Sequence, residues 1–190
     1  MNNLSKSELR LKFKNVRNSI NTNTQEEKSK VIEKFFIENF STAQNYFVYL
    51  SFGDEVRTGD ILKHILNKNK NVAIPKCNIE KLTMKAVRYR TDDFLTKNSY
   101  GIFENDTDDC FEEKIDVILM PALTVDRYGN RIGFGKGYYD KFINSLDYKP
   151  ILIGLCYAEQ VFEGKLPSDE YDKKLDYIIT DQEIIKICEK

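Results

Sequence analysis

The chain has 190 residues, with 29 Lys and Arg against 30 Asp and Glu, for a net charge of −1. That length accommodates one domain with its own core, read here as 1–190, and the balanced charge lacks the basic excess of a general nucleic-acid binder. The longest apolar run, 117–125, is broken by Pro121 and falls far short of the ~20 residues a membrane span needs.

No apolar stretch follows the N-terminal charges as a signal peptide would require. Cys77, Cys110, Cys156 and Cys188 are scattered, without the spacing of a zinc site or a redox motif. The expectation is a cytoplasmic protein with reduced thiols, monomeric, without a nucleic-acid or membrane partner. The one histidine, His64, lies among apolar residues of a predicted helix, which argues against histidine-centred catalysis.

Ser5-Lys-Ser-Glu8 is a capping box and opens a helix predicted over 6–20. Leu9, Phe13, Val16 and Ile20 recur at helical spacing as its apolar stripe, and Lys6, Arg10, Lys14 and Arg17 form a cationic stripe on another face. That second stripe reads either as a solvated basic face or as an anion contact. Thr24-Gln-Glu-Glu27 is a second capping box, predicting a helix to 39 with Val31, Ile32, Phe35 and Phe36 inward. A buried strand follows over 46–52, ending in Gly53-Asp54-Glu55-Val-Arg-Thr58, and a short helix runs to 67. The end of a strand leading into a helix is where open α/β sheets place ligands. The alternative for Glu55 is a solvated acid at the start of the helix beginning near Thr58.

Residues 71–76 read as a strand, and 82–89 as a partly exposed strand suited to antiparallel pairing. The polar, acidic stretch 90–113 reads as a surface excursion. Strands are predicted at 117–119, 151–156 and 177–180, with helices at 136–146 and 182–188. Alternating strands and helices predict a three-layer α/β sandwich, its mixed, mostly parallel central sheet flanked by helices.

The segment between 117 and 146 carries the strongest chemical signal. A strand meets Pro121, a turn follows at Asp126-Arg-Tyr-Gly-Asn130, and glycines then alternate at Gly133, Gly135 and Gly137 before the helix. Strand, glycine loop and helix start is a geometry that binds phosphate, because unpaired N–H groups and a close backbone face the anion. It is not a Walker A loop, since Gly137 rather than Ser or Thr follows Lys136, and its spacing is not that of the dinucleotide fingerprint. A glycine-rich turn without a ligand is the alternative; Arg131, Lys136 and Asp140 around the glycines favour phosphate.

The stretch MPALTVDRYGNRIGFGKGYYDKF resembles the signature of the 5-formyltetrahydrofolate cyclo-ligase (methenyltetrahydrofolate synthetase) family, roughly P-G-x-x-F-D-x-x-G-x-R-L-G-x-G-x-G-Y-Y-D-x-F. Departures are Ala122 for Gly, Val125 for Phe, and Phe134 where many members carry Arg; Lys136 is the cation that would stand in as a point charge. Lys6-Ser-Glu-Leu-Arg10 is similar to the family's N-terminal K-x-x-x-R, Glu55 and Thr58 to its E-x-x-T, 154–160 to its G-x-A-x-x-x-Q, and 166–176 to its L-P-x-x-x-x-D-x-x-x-D. Tyr100–Glu104 resembles a G-I-x-E-P element, with Asn105 for Pro, and no chemistry is assigned to it.

The resemblance implies ATP-dependent closure of 5-formyltetrahydrofolate to 5,10-methenyltetrahydrofolate. It implies an ATP site at Lys6, Ser7, Glu8, Leu9 and Arg10 together with Ile132, Gly133, Phe134, Gly135, Lys136, Gly137, Tyr138, Tyr139 and Asp140. Lys136 and Arg131 would be the catalytic cations. Leu50, Phe52, Glu55 and Tyr139 would meet the folate, and Asp140 and Asp172 would hold magnesium. Lys6 and Arg10, four residues apart, share a helical face that one polyphosphate can bridge. Two rival readings remain: another nucleotide-using phosphotransferase on the same loop, and an RNA-binding protein using the basic first helix.

Overall fold

The computed structural model describes residues 4–91, 93, 95–97, 103–105 and 109–188. Helix α1 (Lys6–Ser19) begins where the capping box places it, with Ser5 Oγ accepting from Glu8 N while Glu8 Oε2 accepts from Ser5 N at 2.8 Å. Helix α2 (Thr22–Phe40) begins earlier than predicted. Asn21 is its cap, accepting from Thr24 N at 3.0 Å, so Thr24 lies inside the helix. Ile32 and Phe36 face the core as expected, but Val31 is exposed and Glu33 takes the inward place. Glu33 is satisfied there because its carboxylate accepts from Asp60 N at the start of α3 (Gly59–Asn67), at 2.8 Å.

Strand β1 (Asn45–Phe47) stops short of the predicted 52. Side chains take over from the ladder: Thr58 Oγ1 donates to Tyr49 O at 2.7 Å, and Tyr49 Oη donates to Val56 O at 3.0 Å. β2 (Asn71–Asn78) and β3 (Thr83–Tyr89) pair antiparallel, as do the short β4 (Leu95–Lys97) and β5 (Phe103–Asn105) within the polar excursion. Residues 100–102 of the G-I-x-E-P-like element lie outside the described residues. β6 (Val117–Pro121) leads to the hairpin of β7 (Thr124–Asp126) and β8 (Arg131–Ile132), and α4 (Tyr138–Asn144) follows the glycines. β9 (Ile151–Leu155), a 3₁₀ turn at Ala158–Gln160, β10 (Val161–Phe162), β11 (Tyr177–Ile179) and β12 (Ile184–Lys186) complete the chain.

The last element corrects the predicted helix at 182–188. Thr180 Oγ1 accepts from Gln182 N and Glu183 N, turning the chain, and β12 with its β-branched pair Ile184 and Ile185 returns antiparallel to β11.

The main sheet has the order β12-β11-β9-β6-β1-β2-β3. Its interior strands run parallel and only its two edge pairs are antiparallel. All four apolar side chains at the start of β6 are buried, with Val117 and Leu119 in the cluster under α2 and α3, and Ile118 and Met120 in the cluster under α4. A strand covered on both faces explains the uninterrupted apolar run. Helix α1 instead packs through Leu9 and Phe13 on Leu123, Ile132 and Leu166, beside the small sheet β10-β7-β8. That hairpin is braced by buried Asp126, which accepts from Tyr128 N, Asn130 N, Asn130 Nδ2 and Leu166 N at 2.7–2.9 Å. The brace fixes where β8 delivers Arg131 and the glycines.

No helix of the described residues is long and apolar enough to cross a membrane, and no disulfide joins the four cysteines.

Candidate functional site

Beyond the C-terminal ends of β1, β2 and β6 lies a cleft of about 530 Å³. This is the side of a parallel sheet at which strand-to-helix loops converge. One half is cationic and lined by backbone; the other is aromatic and apolar with a single buried acid.

The first half is built on the glycine loop. Gly135 and Gly137 have φ of +91° and +69°, a backbone region that side chains disfavour. Gly137 serves as N-cap of α4, which explains why the helix starts at Tyr138 rather than 136. Arg10 from α1 lies directly over the loop: its Nε donates to Gly133 O at 3.0 Å, and a Cβ on Gly135 would sit 3.0 Å from its Cζ. One turn earlier, Lys6 Nζ donates to Asp169 and Asp172, both at 2.6 Å. Burial disfavours the Lys6 charge, yet the two carboxylates hold its pKa above the ordinary value. Asp172, despite partial burial, is held below the usual carboxylate range by Lys6 and by Asp169 N.

Arg131 donates to Pro121 O and pairs with Asp140 Oδ2, both at 3.2 Å, with its guanidinium carbon 5.8 Å from the Tyr139 ring centre. Asp140 also accepts from Lys173 N at 3.0 Å. Lys136 is exposed on the loop, and Ile132, Phe134 and Tyr138 complete this wall.

The second half contains Leu50, Phe52 and Glu55, as the sequence implies, and adds Tyr49, Pro75, Cys77 and Met84. Glu55 is only 4% exposed, which overturns its reading as a solvated acid. Its Oε2 accepts from Phe52 N at 3.3 Å, and burial pushes its carboxyl up to about 7 against the favourable field of Arg17. Burial likewise raises the Tyr49 and Tyr139 hydroxyls well above their ordinary value. Phe52 meets Phe134 of the glycine loop at 6.3 Å between ring centres, so the two halves touch through these rings.

Three residues placed in the ATP site by resemblance do not line the cleft. Ser7 Oγ meets Ser5 Oγ on the exposed side, Glu8 belongs to the capping box, and Leu9 is buried under the small sheet. A helix turns these three away from the face that carries Lys6 and Arg10. The cationic stripe is also split: Lys14 is exposed, whereas Arg17 is buried and paired with Asp54 at 2.6 Å. Sequence reasoning missed Asp169, three residues before Asp172, where the reciprocal bonding to Lys6 depends on a loop conformation that spacing does not reveal.

Asp140, Asp169 and Asp172 offer hard carboxylate oxygens beside cations and glycine amides. That set fits magnesium taking one or two protein carboxylates and completing its shell with phosphate and water. It does not make a self-sufficient cage: among the described residues no three His, Cys, Asp or Glu side chains are grouped to hold an ion.

Comparison with known proteins identifies relatives of the whole chain. The profile of the 5-formyltetrahydrofolate cyclo-ligase family matches residues 2–181. The 5-formyltetrahydrofolate cyclo-ligase of Mus musculus is 32% identical over 152 residues, covering 74% of each chain. The enzyme of the same name from Haemophilus influenzae is 26% identical over 182 residues, covering 92% of this chain and 97% of its own. The solution structure of Aquifex aeolicus 5,10-methenyltetrahydrofolate synthetase superposes with a TM-score of 0.84 at 26% identity, over 98% of this chain and 95% of that one. A profile match spanning nearly the whole sequence, on the same mixed-sheet fold, means that this chain belongs to the 5-formyltetrahydrofolate cyclo-ligase family of ligases.

Proposed function

We propose that the cleft catalyses ATP-dependent cyclisation of 5-formyltetrahydrofolate to 5,10-methenyltetrahydrofolate, with release of ADP and phosphate. The observation that carries this reading is the contact between the two halves: a cationic glycine loop adjoins an aromatic pocket around one buried acid, within a single cleft.

The chemical difficulty is a formamide carbon deactivated by its own nitrogen. Transfer of the γ-phosphoryl group to the formyl oxygen forms a P–O bond, breaks the bond to ADP, and makes that oxygen a leaving group. The folate's N10 then donates its lone pair to the carbon and loses its proton, and the C–O bond breaks with its electrons leaving on phosphate. Such a sequence needs positioning and charge neutralisation more than a protein nucleophile. Arg10, Arg131 and Lys136 supply the cations at the loop, and its backbone amides supply neutral donors. Asp140 and Asp172 would hold magnesium, which when bound neutralises phosphate charge during transfer. Lys6 exchanges its aspartate partners for phosphate oxygens as the nucleotide enters. Leu50, Phe52 and Tyr139 pack the folate, and Glu55 accepts from a polar edge of its ring system.

Lys6→Ala and Arg10→Ala should each weaken MgATP binding about tenfold to a hundredfold, because a charge-assisted contact contributes roughly 1.5–3 kcal/mol. Lys6→Ala belongs at the lower end, since Lys6 gives up two carboxylates to bind phosphate. Titration calorimetry checks both; unchanged affinity in both variants would return the stripe to a solvated face.

The activity itself is tested by mixing purified protein with MgATP and 5-formyltetrahydrofolate and following the absorbance of the methenyl product. Signal should require all components and form one ADP per folate closed. ATP hydrolysis without the folate spectrum would favour the generic phosphotransferase.

A further inference from the structure

Arg17 is a buried cation that the proposed reaction leaves without a task. It is 3% exposed, on the α1 turn that faces the cleft-forming loops. Its Nη2 lies 2.6 Å from Asp54 Oδ1 in the loop after β1, and its Nη1 points to Ala122 O beyond β6 at 3.5 Å. Its guanidinium carbon stands 5.3 Å from the ring centre of Phe134, on the glycine loop. Its Nε is buried without a hydrogen-bond partner. One cation thus touches both loops that make the two halves of the cleft, and the backbone just beyond the strand between them.

An apolar side chain would fill this space without the burden of desolvating a guanidinium and leaving one of its donors orphaned. Arginine brings two things an apolar residue cannot. Its flat face supports Phe134, whose ring is nearly half exposed on its other side and meets Phe52. Its charge holds Asp54, the residue next to Glu55, and so fixes where the Glu55 carboxylate stands.

Resting on the cyclo-ligase reading and deepening it, we infer that Arg17 is a positioning residue that locks the Phe134 face of the glycine loop and the Asp54–Glu55 loop into one arrangement, so that nucleotide and folate are presented to each other in register. It touches neither substrate. Glu55 itself faces Arg17 from α1, Asp54 and Arg57 from its own loop, Tyr49 from the segment just after β1 and Tyr139 from α4. Among these, Arg17 favours the ionised carboxylate and Asp54 opposes it.

The test compares Arg17→Met and Asp54→Asn with the wild type in two measurements. The first is the carboxyl carbon resonance of Glu55 in carbon-13-glutamate-labelled protein, identified by its absence in Glu55→Gln and separated from Glu33 by Glu33→Gln. The second is kcat/KM for the folate at saturating MgATP, with MgATP affinity measured alone. Arg17→Met should move the Glu55 midpoint above its wild-type value near 7 and Asp54→Asn should move it below. Arg17→Met should also lower kcat/KM for the folate about tenfold to a hundredfold, the scale of a sub-ångström to ångström misplacement, with a smaller change in MgATP affinity. Arg17→Lys, which keeps charge without the planar face, should restore the midpoint but only part of kcat/KM; it carries the test with Asp54→Asn if Arg17→Met does not fold. Midpoints that do not move in opposite directions in Arg17→Met and Asp54→Asn, a midpoint in Asp54→Asn that does not fall, or an unchanged kcat/KM in the Arg17 variants overturns the inference while cyclo-ligase turnover stands. A folded wild type without turnover overturns the functional reading, and this inference with it.

Discussion

Gly135→Val is expected to abolish detectable MgATP binding, a loss of more than about a hundredfold, while the protein still folds. The reason is local. Gly135 has a φ of +91°, a conformation that a β-branched residue adopts only with strain, of order 1–3 kcal/mol. Even an unstrained Cβ would lie 3.0 Å from Arg10 Cζ and Nε, so the guanidinium must give way over the loop by a few tenths of an ångström. Valine adds two methyl groups where the nucleotide's phosphates would approach the backbone amides. The substitution therefore disturbs three contributions at once: the loop shape, the Arg10 position and the open approach. The core clusters lie elsewhere, on Ile118, Phe142 and their neighbours, so cooperative unfolding should survive with a modest decrease in Tm. Calorimetry and a thermal scan on the same sample decide the matter. Equal loss of folding and binding would mean that the alternate glycines serve only the turn.

Glu55→Gln should make the protein more stable above neutral pH and less active. Burial raises the Glu55 carboxyl from 4.5 to about 7, so the folded state holds a proton that the unfolded chain releases. Between about pH 4.5 and 7, unfolding therefore releases a proton, and the Glu55 contribution to stability falls as pH rises through that window. Glu33, also pushed up to about 7 by burial, adds a slope of the same sign that the variant retains. Glutamine keeps the shape and removes the titration. At pH 8 the variant should exceed wild type by about 1–3 kcal/mol, and near pH 4 the difference should vanish. Catalysis should move the other way: loss of one charge-assisted hydrogen bond lowers kcat/KM for the folate about tenfold to a hundredfold. A stability that drops at pH 8, or normal turnover at low folate, would contradict the placement of Glu55 as a buried functional acid. Opposite signs for stability and activity are what a residue kept for function at a cost to folding produces.

These residues also illustrate what a one-dimensional reading can reach. The capping box at Ser5, the apolar strand at Val117 and the alternate glycines are local patterns, and each gave its element directly. The parallel interior of the sheet followed from strands alternating with helices. Elements whose identity depends on distant partners were misread. Ile184 and Ile185 suit either a short helix or a strand, and pairing with β11 decides for strand. The Asn21 cap was hidden behind a second, equally good capping box three residues on. Helical spacing groups Arg17 with Lys14 in a stripe that reads either as a solvated face or as an anion contact; Asp54, distant in sequence, is what draws it inward instead. On the site, Lys6 and Arg10 were legible as one helical face. The partnership of Lys6 with Asp169 and Asp172 was not, because more than 160 residues separate them. The apolar wall of Pro75, Cys77 and Met84 has no signature at all, since strand ends that line a cleft look like strand ends that meet solvent.

The central claim is that the formyl oxygen is activated by phosphoryl transfer within this cleft. It is tested most directly by following that oxygen. With 5-formyltetrahydrofolate carrying oxygen-18 in its formyl group, MgATP of natural abundance and unlabelled water, the inorganic phosphate released should contain one oxygen-18 per molecule, detected by its shifted phosphorus-31 resonance, in step with methenyl absorbance. Label released into water, with unlabelled phosphate accompanying ring closure, would contradict the account.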